Sequence, residues 1–310
     1  MDVRGKKIFV GLSGGVDSAV SAALLKEAGA NVTGVFIKGW YPPGMPCTWA
    51  AERRDAMRVA ARLQIPFLTL DASAEYKKSV IDYLLAEYRA GRTPNPDVMC
   101  NKDVKFGAFY RFAKEQGADA IATGHYRSGE KDQSYFLWAV SKDILESAIS
   151  PVGQLEKSEV RKLAKRFNLP VAEKKDSQGI CFLGSVSVED FLKQELGSDN
   201  PALLYTIGQR VHGGYVVGKD VERGTVAVSR CRKQEAVSAV QFENANWFVT
   251  AETQVEAQYR YRGPRITGMI YHTNSAGSFK PETPLSELPA PGQSIVFYRG
   301  SEMIGGGIIV

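Results

Sequence analysis

Apolar residues fall into two regimes along the chain. Up to about residue 170, short runs rich in β-branched and aromatic side chains alternate with stretches whose apolar positions recur every three or four residues. Residues 8–12, 32–37, 67–70 and 120–123 read as strands, and residues 19–28, 51–63, 75–89, 106–116 and 157–167 as helices. In the second helix Ala56, Val59, Ala60 and Leu63 recur at helical spacing. This alternation predicts an α/β fold, with a parallel sheet covered on both faces and ligands bound beyond the carboxyl ends of its strands. From Gly197 to Pro201 the pattern changes, and helical periodicity nearly disappears. Short runs at 215–217, 225–228, 247–249, 255–259, 266–271 and 294–298, separated by Gly, Pro and Asn, predict one or two small antiparallel barrels. Three domains are expected, at residues 1–198, 199–250 and 251–310.

The composition narrows the class without fixing the function. A chain of 310 residues that is 44% hydrophobic and 24% charged is long enough for more than one core and ordinary for a globular protein. No apolar run approaches the ~20 residues needed to cross a bilayer. The opening residues 1–7 lack the apolar core of a signal peptide, so a cytoplasmic protein with no membrane partner is expected. A net charge of +5 permits a polyanionic partner without requiring one, because residues 201–310 hold 11 Lys and Arg against 9 Asp and Glu. Cys47, Cys100, Cys181 and Cys231 include no C-x-x-C pair, so neither a disulfide framework nor a local zinc pattern is written in the sequence, and no metal ligand set is assigned.

Chemistry enters at Ser13-Gly14-Gly15-Val16-Asp17-Ser18, between the first strand and the first helix. Adjacent glycines let backbone N–H groups turn inward, and the first amides of a helix add partial positive charge where an anion sits. Ser13 and Ser18 add hydroxyl donors, and the Asp17 carboxylate is suited to Mg²⁺. The lysine of the G-x-x-x-x-G-K-[ST] loop is missing. A Gly-containing turn capped by Ser or Asp is the plainer alternative.

The run resembles the signature of the PP-loop ATP pyrophosphatases, an adenine nucleotide alpha hydrolase-like fold. Further blocks follow in order at 91–101, 122–126, 131–135, 176–182, 205–210 and 291–293, and with them the chain resembles the tRNA-specific 2-thiouridylases over nearly its whole length. The resemblance implies a PP-loop domain, a small β-rich domain and a C-terminal β-barrel. It also implies ATP and Mg²⁺, a tRNA anticodon stem-loop, a persulfide sulfur donor protein and a monomer. Gly11, Leu12, Ser13, Gly14, Gly15, Val16, Asp17, Ser18, Ile37 and Gly124 match nucleotide-binding positions. Asn95, Pro96 and Asp97 match contacts to the target base, Cys100 the nucleophile, and Cys181 the carrier of sulfur as a persulfide. Asp97, three residues before Cys100, is placed to accept or relay a proton. His125, Lys131, Asp132, Gln133, Arg260, Tyr261 and Gln293 match tRNA contacts.

Read from the residues alone, Pro94 and Pro96 make 93–101 a rigid extended loop between helices, suited to presenting side chains into a pocket or simply to breaking a helix. Lys174 and Lys175 are positioned to lower the pKa of Cys181 if the chain folds them nearby. One departure from the family stands out: residues 208–215 run almost at once into the next strand, and the Gly/His-rich lead-in before Tyr205 is missing. It bears on tRNA contacts and donor docking, and leaves the ATP and cysteine chemistry untouched. Two alternatives remain: another adenylating PP-loop ligase such as an argininosuccinate or tRNA lysidine synthetase, and an iron–sulfur thiolase using Cys47, Cys100 and Cys181.

Overall fold

The computed structural model describes residues 2–44, 49–129, 131–175, 186–231, 237–249 and 253–310. The chain divides into two compact units, the first made of residues 1–78, 100–134 and 140–186, the second of residues 79–99, 135–139 and 187–310. Among the described residues no helix is long and apolar enough to cross a membrane.

The first unit is built on a four-stranded parallel sheet in the order β3-β2-β1-β4, from β1 (Lys7–Gly11), β2 (Asn31–Lys38), β3 (Phe67–Asp71) and β4 (Ala120–Ala122). Ile8, Phe9 and Val10 are all buried, as expected of a central parallel strand covered on both faces. Helix α1 (Val16–Glu27) follows β1, and α2 (Trp49–Leu63) follows β2. The predicted α2 stripe of Ala56, Val59, Ala60 and Leu63 is buried in the same core as Ile8, Val10 and Val32. Small residues Ala19, Ala22 and Ala23 bring α1 close to its neighbours, including Val160 and Ala164 of the helix Lys157–Arg166. Each fully buried Val or Leu contributes roughly 1.5–3 kcal/mol.

The extended loop expected over 93–101 is not what forms. Residues Pro96–Met99 are α-helical, Cys100–Ala108 form a π-helix and Phe109–Glu115 an α-helix, so Cys100 rides on a helix. The physical reason is Pro96 itself: at the first helical position its fixed φ favours the helix, and its missing N–H would have had no partner anyway.

In the second unit, β5 (Arg210–Val211), β6 (Gly214–Asp220) and β7 (Thr225–Ser229) form a three-stranded antiparallel sheet. Six further strands close a single barrel in the order β10-β11-β8-β13-β12-β9. They are β8 (Val240–Trp247), β9 (Gln254–Gln258), β10 (Ile266–His272), β11 (Ala276–Pro281), β12 (Ser294–Arg299) and β13 (Glu302–Ile309). Strand β8 pairs with β11 and β13, so the barrel starts ahead of residue 251; of the strand expected at 247–249 only Trp247 is strand, as the last residue of β8. Phe242, Phe279 and Phe297 fill its interior with Val255, Ile270 and Ile295. Residues 135–139 pack on the barrel wall: the Trp138 indole N–H donates to Ser294 Oγ and the Tyr135 hydroxyl to the Ser294 carbonyl, each at 2.9 Å.

Candidate active site

At the carboxyl end of β1 the chain turns through Gly14, at φ +77°, into α1, whose N-cap Gly15 supplies no side-chain cap. The first amides of α1 therefore face the turn with their partial positive charge uncancelled by a capping side chain. Ser18 Oγ donates to the Gly15 carbonyl at 3.2 Å and accepts from the Ser13 amide at 3.3 Å, which fixes the turn's shape. A Cβ at Gly124, after β4, would meet the Ser18 nitrogen at 2.8 Å and the Asp17 carbonyl carbon at 3.0 Å. Only glycine allows the β4 end to lie against the start of α1. The two segments that the sequence sent to the same sheet rim are thus in contact.

A cavity of about 310 Å³ opens here, at the small end of the ~300–1,000 Å³ typical of ligand pockets. Gly11, Leu12, Ser13, Asp17 and Ser18 form one wall, and Val35, Phe36 and Ile37 of β2 another. Trp40, Tyr41 and Tyr76 bring aromatic rings, Gly124, His125 and Gln133 come from the segment after β4, and Cys100, Val104, Lys105 and Phe109 line it from the π-helix and its continuation. Of the residues matched to nucleotide binding, Gly14, Gly15 and Val16 shape the turn behind this surface.

Lysines supply the charge that the glycine turn lacks. Asp17 Oδ1 accepts from Lys157 Nζ at 2.6 Å and from the Tyr126 hydroxyl at 2.7 Å. Lys174 Nζ donates to the Gly14 carbonyl at 3.0 Å and pairs with Asp55 at 2.7 Å, so it is anchored at the turn. The expectation that Lys174 lowers the Cys181 pKa involves a residue outside the described ones. His125 is 8% exposed, and its Nδ1 lies 3.0 Å from Thr123 Oγ1. Burial, with the Lys105 and Arg127 charges adding to it, pushes its pKa down to about 3 and keeps it neutral. Sequence reading missed Lys157, Lys105, Trp40 and Tyr76, and gave Lys174 a role at Cys181 and none at the turn. Only a lysine search at the rim would have raised Lys157, and nothing local marks the aromatics.

Other matched residues hold different positions. The Gln133 side chain accepts from the Tyr126 amide at 3.1 Å, and Asp132 caps the Ser134 amide at 2.8 Å, with Lys131 half-buried beside it in sequence. In the second unit Asn95 is buried, Pro96 half-buried and Asp97 exposed. Gln293 Nε2 donates to the carbonyls of Thr93 at 2.9 Å and Pro94 at 3.3 Å, while the Thr93 amide donates to the Pro291 carbonyl at 2.7 Å. The turn 291–293 therefore clamps the segment that leads into 95–97. Arg260 pairs with Glu287 at 3.0 Å beside a second cavity, of about 350 Å³, on the barrel. Tyr261 packs on Phe136 with ring centroids 4.5 Å apart. Cys47 and Cys181 lie outside the described residues. Among the described residues no group of three or more His, Cys, Asp or Glu is gathered for a metal.

A family model described as a tRNA methyl transferase HUP domain matches residues 6–185, and one described as an aminomethyltransferase beta-barrel domain matches residues 237–309. Among curated proteins the chain is 38% identical to the tRNA-specific 2-thiouridylase MnmA of Streptococcus thermophilus, across 98% of its own length and 95% of that protein's. It is also 38% identical to the tRNA-specific 2-thiouridylase MnmA of Lacticaseibacillus paracasei, across 100% and 95%. In the first alignment about 304 residues of this chain (98% of 310) are spread over 357 positions, which leaves about 53 that it lacks. Neither family model reaches residues 186–236.

Proposed function

The chain belongs to the tRNA-specific 2-thiouridylase family, and from that premise we propose that it carries out the ATP-dependent 2-thiolation of the wobble uridine, position 34, of tRNA. One observation carries the reading: the glycine turn and the Cys100 thiol line the same cavity. An anion cradle and a sulfur nucleophile then serve one bound base.

ATP sits with its phosphates on the turn 13–18 and its adenosine against Gly11, Leu12, Ile37 and Gly124. Lys157 and Lys174, already bonded to Asp17 and Gly14, offset the phosphate charge. Both bonds to Asp17 fall on Oδ1, so Oδ2 is the atom that would hold Mg²⁺. A single carboxylate suits an ion that keeps several waters and takes the rest of its ligands from phosphate. When bound, Mg²⁺ supplies further neutralisation of the phosphates. Trp40, Tyr41 and Tyr76 offer faces on which flat bases stack.

The uracil O2 attacks the α-phosphorus and pyrophosphate departs, which turns a poor leaving oxygen into an adenylate. A persulfide on Cys181, charged by a donor protein, adds its outer sulfur to C2, and AMP leaves. The Cys100 thiolate then attacks Cys181 Sγ, the S–S bond to the base breaks, and the base keeps the sulfur. The outer sulfur is reduced while two thiols become a disulfide, which an external dithiol reduces for the next turnover. Asp97 relays the proton. Splitting the substitution this way replaces one difficult step by easier ones. Lys174 stands seven residues before Cys181, so that cysteine is tethered to the turn by a chain whose full extension is about 25 Å.

The test is nucleoside analysis with Cys100→Ser and Cys181→Ser. Each variant is expected to lose 2-thiouridine formation while still releasing pyrophosphate in the presence of tRNA. Normal thiolation by either variant contradicts the scheme.

A further inference from the structure

Cys100 opens a run of backbone that is π-helical, in which residue i+5 returns over residue i. Four residues of this run and its continuation line the cavity: Cys100, Val104, Lys105 and Phe109. Their spacing follows the π-helical winding. At 3.6 residues per turn Lys105 would point about 140° away from Cys100, so an α-helix would take its ammonium out of the cavity. The wider winding brings thiol and ammonium to one face. Among the described lining residues Lys105 is the sole Lys or Arg.

We propose that Lys105 is a positioning residue for the sulfur-transfer step, its ammonium holding Cys100 as the thiolate that attacks the persulfide. The inference deepens the reading of Cys100 as nucleophile and rests on it. The thiol proton leaves for solvent by way of the Asp97 relay, and Lys105 stays protonated throughout. Among the described lining residues no other side chain offers a fixed positive charge. His125, the other basic side chain lining it, is held neutral by burial and by the Lys105 and Arg127 charges. Asp17 and Glu52 line the cavity as carboxylates, which oppose a thiolate, although Asp17 is paired with Lys157. Tyr41 and Tyr76 complete the ionisable lining, and Asp97, Lys102 and Asp103 are the charged groups nearest Cys100 along its own helical run. A free thiol titrates near ~8.5, and one beside a lysine in the range of about 3.5–7.5.

The test is the rate of iodoacetamide capture at Cys100 as a function of pH, read by mass spectrometry of the Cys100 peptide. Wild type, Lys105→Met and Lys105→Arg are compared, with matched melting curves to show that each is folded. The expected midpoint for the wild type lies below ~8, and Lys105→Met moves it up by about one pH unit or more, slowing capture at pH 7 roughly tenfold. Lys105→Arg keeps the wild-type midpoint, and 2-thiouridine formation follows the same order. An unchanged midpoint in Lys105→Met overturns the inference, as does loss of the low midpoint in Lys105→Arg. Thiolation by Cys100→Ser separates this from the reading beneath it. If Cys100→Ser abolishes thiolation while Lys105→Met leaves the midpoint alone, only the Lys105 inference falls. If Cys100→Ser thiolates normally while the midpoint still moves, the nucleophile reading falls and the electrostatic coupling stands.

Discussion

Gly14→Ala isolates the geometry on which the nucleotide site depends. Gly14 adopts φ +77°, and a Cβ there would land on the Glu52 carbonyl oxygen, with Asp55 Cβ at 3.2 Å. Two penalties follow: roughly 1–2 kcal/mol for forcing an L-residue into the left-handed region, and roughly 1–3 kcal/mol for overpacking against backbone that must move. Gly5 supplies the control, since it adopts φ +72° with nothing within 4 Å of its would-be Cβ. Gly5→Ala should therefore cost only the first term. The assay is urea unfolding followed by α1 amide exchange, with the KM for ATP measured in parallel. Gly14→Ala is expected to be about 1–3 kcal/mol less stable than Gly5→Ala and to bind ATP more weakly, because shifting the turn displaces the amides that face the phosphates. Equal stabilities with an unchanged KM would refute the cradle geometry.

Three further outcomes are expected. Lys157→Met removes a charged hydrogen bond of about 1.5–3 kcal/mol at the turn and should raise the KM for ATP at least tenfold; an unchanged KM would remove Lys157 from the site. Gln293→Ala frees the Thr93 and Pro94 carbonyls and should lower the exchange protection of residues 93–99 without changing ATP affinity, by about 1–3 kcal/mol. Weakened tRNA binding with full protection would instead make Gln293 a direct tRNA contact. His125 binds its proton more weakly folded than unfolded, so the unfolded state takes up more protons below the ordinary histidine value. Stability is then complete above about pH 6.5 and is lost as pH falls toward about 3. Urea midpoints at pH 7 and 5, compared with His125→Asn, should differ more in the wild type; an equal pH dependence would contradict the burial argument.

The parallel core was legible because its strands β1 and β4 carry unbroken apolar runs and its helices carry a clear stripe, as in Ala56, Val59, Ala60 and Leu63 of α2. The barrel was legible only in part. Strand β13 passes through Gly305, Gly306 and Gly307, whose missing side chains make room for the rings of Trp247, Trp138 and Phe242, and glycine carries no strand signal. Gly277 does the same for Phe242 in β11. Around the cavity, the glycine turn and Gly124 could be read because glycine at a strand-to-helix turn has few other uses. Lys157 lies 140 residues from Asp17 in sequence, and Lys174 lies 160 from Gly14. Only tertiary folding brings them together. The helix at Cys100 was hidden by Pro96, which reads equally as a breaker or a starter until its neighbours are seen.

The central claim is that one cavity activates a base with ATP and exchanges its oxygen for sulfur. Its most direct test is to incubate unmodified tRNA with the enzyme, Mg-ATP and a heavy-sulfur persulfide donor, then to map the nucleosides by mass spectrometry while counting pyrophosphate. The account predicts labelled 2-thiouridine at the wobble position alone, one pyrophosphate per sulfur inserted, and no product without ATP. Sulfur inserted at another position, thiolation that needs no ATP, or incorporation of nitrogen in place of sulfur would contradict it.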